Sequence, residues 1–373
     1  MATLPVAQPF SQVRPRMPRA RHVGPNWYAT VMGTAIVANA GVALPGDRRW
    51  LRDACTVVWA LSAALLVVVL AVRTAHWAFH TDQARRHLRD PAVASFYGCL
   101  PMALLAVGAG TLLVGPPVLG ERAAVTVDAA LWTAGTVTAL LVAAAVPYLM
   151  VAEHRIGLDD ASPVWLLPVV APMVAAATGP ALIPHLPEGA GQAREALLLG
   201  CYAMFGLSLL ATLIMLPLVW SRLMRRGPLP LALTPTLFLV LGPLGQSTTA
   251  VGQTADAAPG TVPAPYDAAL RGFAVLYGVP VTGFALLWLA VALALVVRAA
   301  RRGMPFAMTW WAFTFPVGTC VTGAASLARH TGLDALSWLA VGLYALLVAA
   351  WLAAGAGTLR GTVSGRLLAA PTG

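Results

Sequence analysis

The chain has 373 residues, of which 59% are hydrophobic and only 10% are charged, and its mean hydropathy is +0.76. Soluble proteins carry about 25% charged residues, so this composition excludes a soluble domain and indicates a chain whose solvent is lipid. All 24 basic residues are arginine, which excludes sites that need a lysine amine, such as a Walker-type phosphate loop, a Schiff-base cofactor or a lysine nucleophile. We therefore expect no cofactor.

Ten apolar stretches are long enough to cross a bilayer, which needs roughly 20 residues per helix. In chain order they cover residues 26–44, 53–73, 93–114, 125–151, 163–183, 196–220, 232–252, 271–297, 306–328 and 333–358. Residues 1–24 hold four arginines and no apolar run, which predicts a disordered basic tail rather than a signal peptide. Residues 25–358 then form the membrane domain, and residues 359–373 form a second short tail. The prediction is an all-α, multi-pass membrane protein with ten transmembrane helices.

The arginines predict how these spans are oriented. If the amino terminus is cytoplasmic, 17 arginines fall in cytoplasmic segments and 7 in external loops. The positive-inside rule therefore predicts that both termini are cytoplasmic. The predicted location is the inner or plasma membrane. The same distribution explains the net charge of +10 without nucleic-acid binding, and it predicts contacts with anionic lipid. Tryptophans near span ends, Trp132 and Trp338 among them, are typical of an interfacial aromatic belt.

Cysteine and histidine patterns give little sign of a metal site. His76 and His80 are four residues apart and could share one helix face, but they lie among arginines, where an interfacial role is favoured. The cysteines lie singly in or beside apolar stretches, without a paired ligand spacing, and are expected to be small buried hydrophobic residues: Cys55, Cys99, Cys201 and Cys320. We predict no metal site.

Prolines recur at a fixed interval in alternate spans. They lie in the third, fifth, seventh and ninth spans, 71, 71 and 73 residues apart, at Pro101, Pro172, Pro243 and Pro316. A period of this length covers two helices and two loops, which predicts five helical hairpins of similar design. One period earlier the first span has Thr30, and there Gly33 and Thr34 are expected to supply the flexible element.

The odd-numbered spans are also the more polar ones. Because backbone groups freed by proline are tolerated in a bilayer only beside protein or a watery cavity, we expect the odd helices inside, around a common axis, and the even helices outside, facing lipid. Ordinary proline kinks are the alternative. Three polar residues of the odd spans are candidates for lining the pathway and contacting an anion, or else for hydrogen bonding between helices: Gln246, Ser247 and Thr319.

The predicted pathway carries no fixed charge near its middle. The nearest acidic residue is Asp128, at a helix entrance. Proton relays and cation sites normally use ionisable groups at this depth, so their absence favours a neutral pathway. Such a pathway can still attract anions, through hydroxyl donors and the positive ends of half-helices.

One residue in the repeat is a candidate gate. The positions before the repeated prolines are Leu100, Ala171, Gly242 and Phe315, and the repeat predicts a similar depth for all four. Phe315 is by far the largest, so its ring could close a lumen of small residues by steric occlusion and dewetting. The alternative is an aromatic side chain packed between helices.

Several runs of this sequence resemble the tellurite-resistance/dicarboxylate transporter family, which includes plant slow anion channels and fungal malate and sulfite transporters. The most specific run is in the ninth span and the others are in the first and seventh: Trp310-Trp311-Ala312-Phe313-Thr314-Phe315-Pro316, Pro25-Asn26-Trp27-Tyr28-Ala29-Thr30-Val31-Met32-Gly33-Thr34 and Gly242-Pro243-Leu244-Gly245-Gln246. The resemblance covers about residues 25–358. It implies a ten-helix bundle of quasi-fivefold symmetry with the odd helices around a central pore, a homotrimer with one pore per subunit, and a ninth-helix phenylalanine, here Phe315, that occludes the pore.

The sequence thus predicts an integral membrane anion channel or transporter rather than an enzyme. Its substrate would be a small anion, such as a C4-dicarboxylate, sulfite, tellurite or a similar oxyanion. Arginines at the cytoplasmic mouth would concentrate anions there, which favours export. A proton-coupled carrier of organic acids with the same fold is the alternative, and an uptake assay with and without a protonophore separates the two.

Overall fold

The computed structural model describes residues 23–46, 48–187 and 189–368, and within these ranges the chain is helical, without a β-strand. Residues 1–22 and 369–373 of the predicted tails lie outside the described residues. Ten longer helices follow one another: α1 (Tyr28–Ala43), α2 (Arg49–Phe79), α3 (Cys99–Val114), α4 (Glu121–Ala152), α5 (Leu166–Thr178), α6 (Gly191–Arg226), α7 (Leu241–Ala257), α8 (Tyr266–Arg301), α9 (Phe315–Thr331) and α10 (Asp334–Val363).

The even-numbered helices are about twice as long as the odd-numbered ones. They contain 30 to 36 residues, and 30 residues at 1.5 Å each span about 45 Å, more than the hydrocarbon core. Among the described residues, seven helical segments are long and apolar enough to cross a membrane, namely the five even helices and the segments Pro91–Val114 and Pro163–His185. The prediction of an all-helical, multi-pass membrane protein is therefore confirmed.

Each odd-numbered helix is preceded by a 3₁₀ segment: Pro25–Trp27, Ser95–Gly98, Pro163–Trp165, Leu231–Val240 and Met308–Phe313. Pro101, Pro243 and Pro316 each lie in the first turn of the α-helix that follows. A proline is tolerated there because its missing N–H has no intrahelical acceptor. Three of the four repeated prolines therefore mark the start of an α-helix, and only Pro172 lies well inside one.

The odd helices contact one another in a closed cycle, in which α1 contacts α3, α3 contacts α5, α5 contacts α7, α7 contacts α9, and α9 returns to α1. Each even helix packs against the two odd helices that precede and follow it in this cycle. Between 17% and 33% of the apolar stretch is buried in the even helices, against 72% and 89% in the segments that contain α3 and α5. The odd helices are thus the inner layer of the bundle and the even helices the outer layer.

Candidate functional site

A small cavity lies inside the cycle of inner helices, and all five contribute to it. Phe315, only 3% exposed, forms part of its wall. The other lining residues are Met32 on α1, Met102 on α3, Leu166, Leu167 and Val170 on α5, Leu239 and Gly242 in and before α7, and Pro316 on α9. The cavity volume, measured as the space open to the centre of a water molecule, is about 10 Å³. This is close to the smallest volume that holds one water molecule. The interior is therefore closed at this level.

Gly242 lines the same cavity as Phe315 and faces open space. A Cβ atom built on Gly242 would meet no heavy atom within 4 Å, although the residue is buried. The repeat predicts a similar depth for Leu100, Ala171, Gly242 and Phe315, and the last two do share the cavity. Neither Leu100 nor Ala171 is among its lining residues, although a close chain neighbour of each, Met102 or Val170, is.

Thr319 packs between α9 and α7, one turn beyond the cavity. Its hydroxyl donates to the Pro316 carbonyl at 2.7 Å and lies 3.4 Å from the carbonyl oxygens of Leu241 and Gly242. Because the hydroxyl carries a single proton, it bonds within α9 to Pro316, and the two 3.4 Å approaches are contacts between the first turn of α9 and the start of α7. Thr319 is a contact between helices in this structure.

Gln246 follows Gly242 by one turn and lies on the same face of α7. Its side chain is 4% exposed, and its Oε1 atom has no hydrogen-bond partner. Buried polar atoms are nearly always paired, and this oxygen is one of several exceptions among the described residues, with Asn39 Oδ1 on α1 and Ser326 Oγ on α9. Ser247, the next residue, is satisfied by a 3.0 Å bond from its hydroxyl to the Leu244 carbonyl.

The predicted first-span residues lie away from the cavity. A Cβ atom on Gly33 would lie 2.3 Å from Thr314 Oγ1 and 2.7 Å from the Trp311 ring, so Gly33 allows α1 to approach the segment before α9. Thr34 accepts a 3.1 Å bond from Trp351 Nε1 on α10, outside the inner layer. The remaining predicted residues are buried but do not line the cavity: Pro101, Pro172 and Pro243.

A polar cluster that the sequence revealed only in part lies where α2 ends and the next segments begin. Arg73, 3% exposed, donates to the Val23 carbonyl at 2.7 Å and to the Tyr97 hydroxyl at 3.3 Å. Nearby, the His76 and His87 rings stack with centroids 5.2 Å apart. Burial, together with the positive charge of Arg73, lowers the pKa of His87 to about 4, so this ring is neutral at pH 7. Helical spacing suggested His76 and His80, but nothing local in the sequence identifies Arg73 as their neighbour.

A comparison with protein families identifies the chain. The family model described as voltage-dependent anion channel, SLAC1, matches residues 22–359. The chain belongs to the SLAC1 family. This confirms the resemblance found in the first, seventh and ninth spans, and it makes the protein a multi-pass member of a family of channels and transporters rather than enzymes.

The match between this SLAC1-family chain and its relatives covers most of each relative's length. An uncharacterized transporter of Methanocaldococcus jannaschii is 27% identical over 88% of this chain and 90% of its own. A second uncharacterized transporter of that organism is 26% identical over 92% of this chain and 95% of its own. A sulfite efflux pump of Trichophyton rubrum is 27% identical over 82% of each chain. These relatives support anion transport as the general function.

Proposed function

We propose that this chain is an anion channel or transporter whose pathway runs through the membrane along the axis of the five inner helices and is closed by Phe315. The observation that carries this proposal is the cavity beside Phe315, to which every inner helix contributes. The cycle of contacts among the inner helices supports a quasi-fivefold arrangement of five hairpins, which is part of this proposal.

Anions would cross this pathway without a fixed positive charge. All the residues that line the closed cavity are apolar or glycine, and the amino-terminal ends of the inner helices carry the positive ends of their dipoles. The amide of Gln246, one turn away, could donate its N–H groups to a passing anion. Entry from the face predicted to hold 17 arginines would favour export.

The substrate, location and assembly belong to the same proposal. The similarity to fungal sulfite efflux pumps supports sulfite as the substrate. The broader class of proposed substrates also includes a C4-dicarboxylate, tellurite or a similar oxyanion. We place the protein in the plasma or inner membrane with both termini in the cytoplasm, in contact with lipid, as a homotrimer with one pathway per subunit. Native mass spectrometry of the purified protein measures the number of subunits, and flux with a panel of anions measures the preference.

A proton-coupled carrier is a second candidate, favoured by one observation. Asp128 on α4 is only 2% exposed, and a Cβ atom built on Gly108 of α3 would lie 2.7 Å from its Oδ1. A buried carboxyl group inside a membrane domain is a possible proton carrier. Asp128 lies between an inner and an outer helix rather than at the cavity, so we rank this function second. Uptake that collapses when a protonophore is added would favour it.

The central experiment is Phe315→Ala in liposomes. Removing the ring would enlarge the cavity on the proposed pathway, and relief of a dewetted constriction should raise anion flux by about tenfold or more. The matched control is Phe313→Ala, which removes an equal ring two residues away that packs against Phe238 at 4.8 Å and does not line the cavity. Sulfite and malate flux should rise only for Phe315→Ala. Unchanged flux in a correctly folded Phe315→Ala protein would contradict the gate.

A further inference from the structure

Arg73 carries a positive charge that is buried inside the membrane domain. It lies on α2, near the end of that helix, and it is only 3% exposed. Its guanidinium group donates to the Val23 carbonyl at 2.7 Å and to the Tyr97 hydroxyl at 3.3 Å, and its Cζ atom lies 5.8 Å from the centre of the Tyr97 ring. All of these partners are neutral, so they satisfy N–H groups without balancing the charge.

No carboxylate balances the charge of Arg73 either. Within the described part of the chain, none of the ion pairs involves this residue, and residues 1–22, which lead to Val23, contain no Asp or Glu. A buried charge is costly unless it is paired, and most buried charges in proteins are. An unbalanced ionisable residue inside a membrane domain therefore indicates a functional role.

The charge of Arg73 is permanent, and it is shielded from solvent. A guanidinium group does not lose its proton in proteins, whereas burial, with the charge of Arg73, lowers the pKa of the neighbouring His87 to about 4 and so keeps that ring neutral at pH 7. Arg85 and Arg89, at the same end of the bundle, are exposed, so salt screens their charges far more strongly than that of a buried group.

Arg73 lies close to the gate cavity, on the side where the inner helices begin. Its partner Tyr97 precedes α3, and Met102 of that helix lines the cavity; the two are separated by about one and a half helical turns, or roughly 8 Å of rise. Its other partner, Val23, precedes α1, whose Met32 also lines the cavity. The positive dipole ends of the inner helices lie at this same end.

We propose that Arg73 sets the preference of the pathway for anions over cations, through its electric field rather than by contact with the ion. This role rests on the proposed transport function. No charge lines the cavity itself, but a unit charge about 10 Å away, at an effective dielectric constant of about 20, changes the local concentration of a monovalent ion by about tenfold. The change is an increase for anions and a decrease for cations.

The test compares sulfite flux with potassium flux in liposomes, for the wild-type protein and for Phe315→Ala. In both backgrounds Arg73→Met, which removes the charge but keeps a long side chain, should lower sulfite flux by about tenfold without lowering potassium flux. Arg73→Lys keeps the charge and should restore most of the ratio of sulfite to potassium flux. Arg73→Gln is a second neutral variant that can still donate to the Val23 carbonyl, and it serves if Arg73→Met does not fold.

Two controls separate the charge of Arg73 from its structural contacts. Tyr97→Phe removes the hydroxyl that accepts from Arg73 but leaves the charge, so the flux ratio should stay unchanged. Arg85→Gln removes an exposed charge at the same end, and any effect it has should vanish in high salt. The effect of the Arg73 variants should persist there, because a buried charge is screened less.

The measured ratios decide the outcome. A flux ratio that is the same in the neutral Arg73 variants as in their parent proteins overturns the proposal. A parallel fall in both ions, or a fall that Arg73→Lys does not restore, also overturns it, since a purely structural role produces that pattern. If neither the wild type nor Phe315→Ala passes sulfite, the proposed transport function fails as well; sulfite flux that is insensitive to Arg73 overturns the role of Arg73 alone.

Discussion

Two glycines three residues apart on α7 have opposite surroundings. Gly242 faces open space beside Phe315, whereas a Cβ atom on Gly245 would lie 2.4 Å from the Cys320 nitrogen and 2.5 Å from the Thr319 carbonyl carbon. Both of those atoms belong to the backbone of α9, which cannot move aside as a flexible side chain can. Gly245 is therefore required for the closest approach between two inner helices, while Gly242 is required for the space at the gate.

Gly245→Ala should destabilise the protein by about 1–3 kcal/mol, because the added methyl group forces α7 away from α9. Gly242→Ala should leave stability unchanged or raise it by about 0.5–1 kcal/mol, since alanine is the better helix former and its methyl group has room. Thermal unfolding of the two purified variants in one detergent measures the difference. Equal melting temperatures would show that α7 and α9 are not packed as closely as described.

For single residues, the sequence predicts more about the depth of a residue in the bundle than about the direction of its side chain. Of the four positions grouped by the proline period, Gly242 and Phe315 share the cavity, whereas Leu100 and Ala171 do not line it. The same period gives no information on which way a side chain points around its helix. Thr34, predicted to supply a flexible element in the first span, has its hydroxyl bonded to Trp351 of an outer helix. That bond joins opposite ends of the chain and leaves no local signal in the sequence.

At the level of helices, tryptophan side chains fasten the outer layer to the inner one. Four of the five outer helices supply an indole N–H that bonds to an inner helix or its 3₁₀ segment, at 2.9 to 3.1 Å: Trp59 to Thr111, Trp132 to the Ala175 carbonyl, Trp288 to the Leu237 carbonyl and Trp351 to Thr34. Trp132, predicted to belong to an interfacial aromatic belt, joins α4 to α5 through its bond. In lipid such bonds replace the hydrophobic effect that is absent between membrane helices.

Trp288→Phe should therefore cost about 1 kcal/mol of stability, because it leaves the Leu237 carbonyl of a 3₁₀ segment without its donor while keeping an aromatic ring in place. Trp338→Phe is the control, since Trp338 on α10 is 74% exposed. Melting temperatures in detergent report the loss, which should be absent for Trp338→Phe. A fall of the same size in both variants would mean that ring size, rather than the hydrogen bond, sets stability.

The positions of the helices could be predicted from the sequence, but their internal structure could not. A helix occupies each of the ten apolar stretches, because hydropathy reports burial in lipid whatever the local winding of the chain. For the same reason it does not distinguish a 3₁₀ turn from an α-turn. The residues Leu231–Val240 and Met308–Phe313 were accordingly included in single spans, whereas the structure changes from 3₁₀ to α-helix close to Pro243 and Pro316.

For the whole molecule, the decisive contact is the one that returns α9 to α1 and so closes the cycle of inner helices. At this contact a Cβ atom built on Gly318 would lie 3.3 Å from the Cβ of Ile36. Disulfide-bonded cysteines have Cβ atoms about 3.5–4.5 Å apart, so a small shift would bring this pair into range. No other pairing of inner helices joins residues so far apart in the chain, which makes this contact the strictest test of a closed pathway.

The double variant Ile36→Cys with Gly318→Cys, in a chain whose four native cysteines are replaced, should form a disulfide on mild oxidation. A protease site inserted between α5 and α6 makes the bond visible, because the two halves of the cut chain then remain together on a non-reducing gel. Ile36→Cys paired with Gly283→Cys on α8, which faces open space, should not form a bond. If the halves of the first variant separate as readily as those of the second, the inner helices do not close around an axis, and the position of Phe315 would no longer make it a gate.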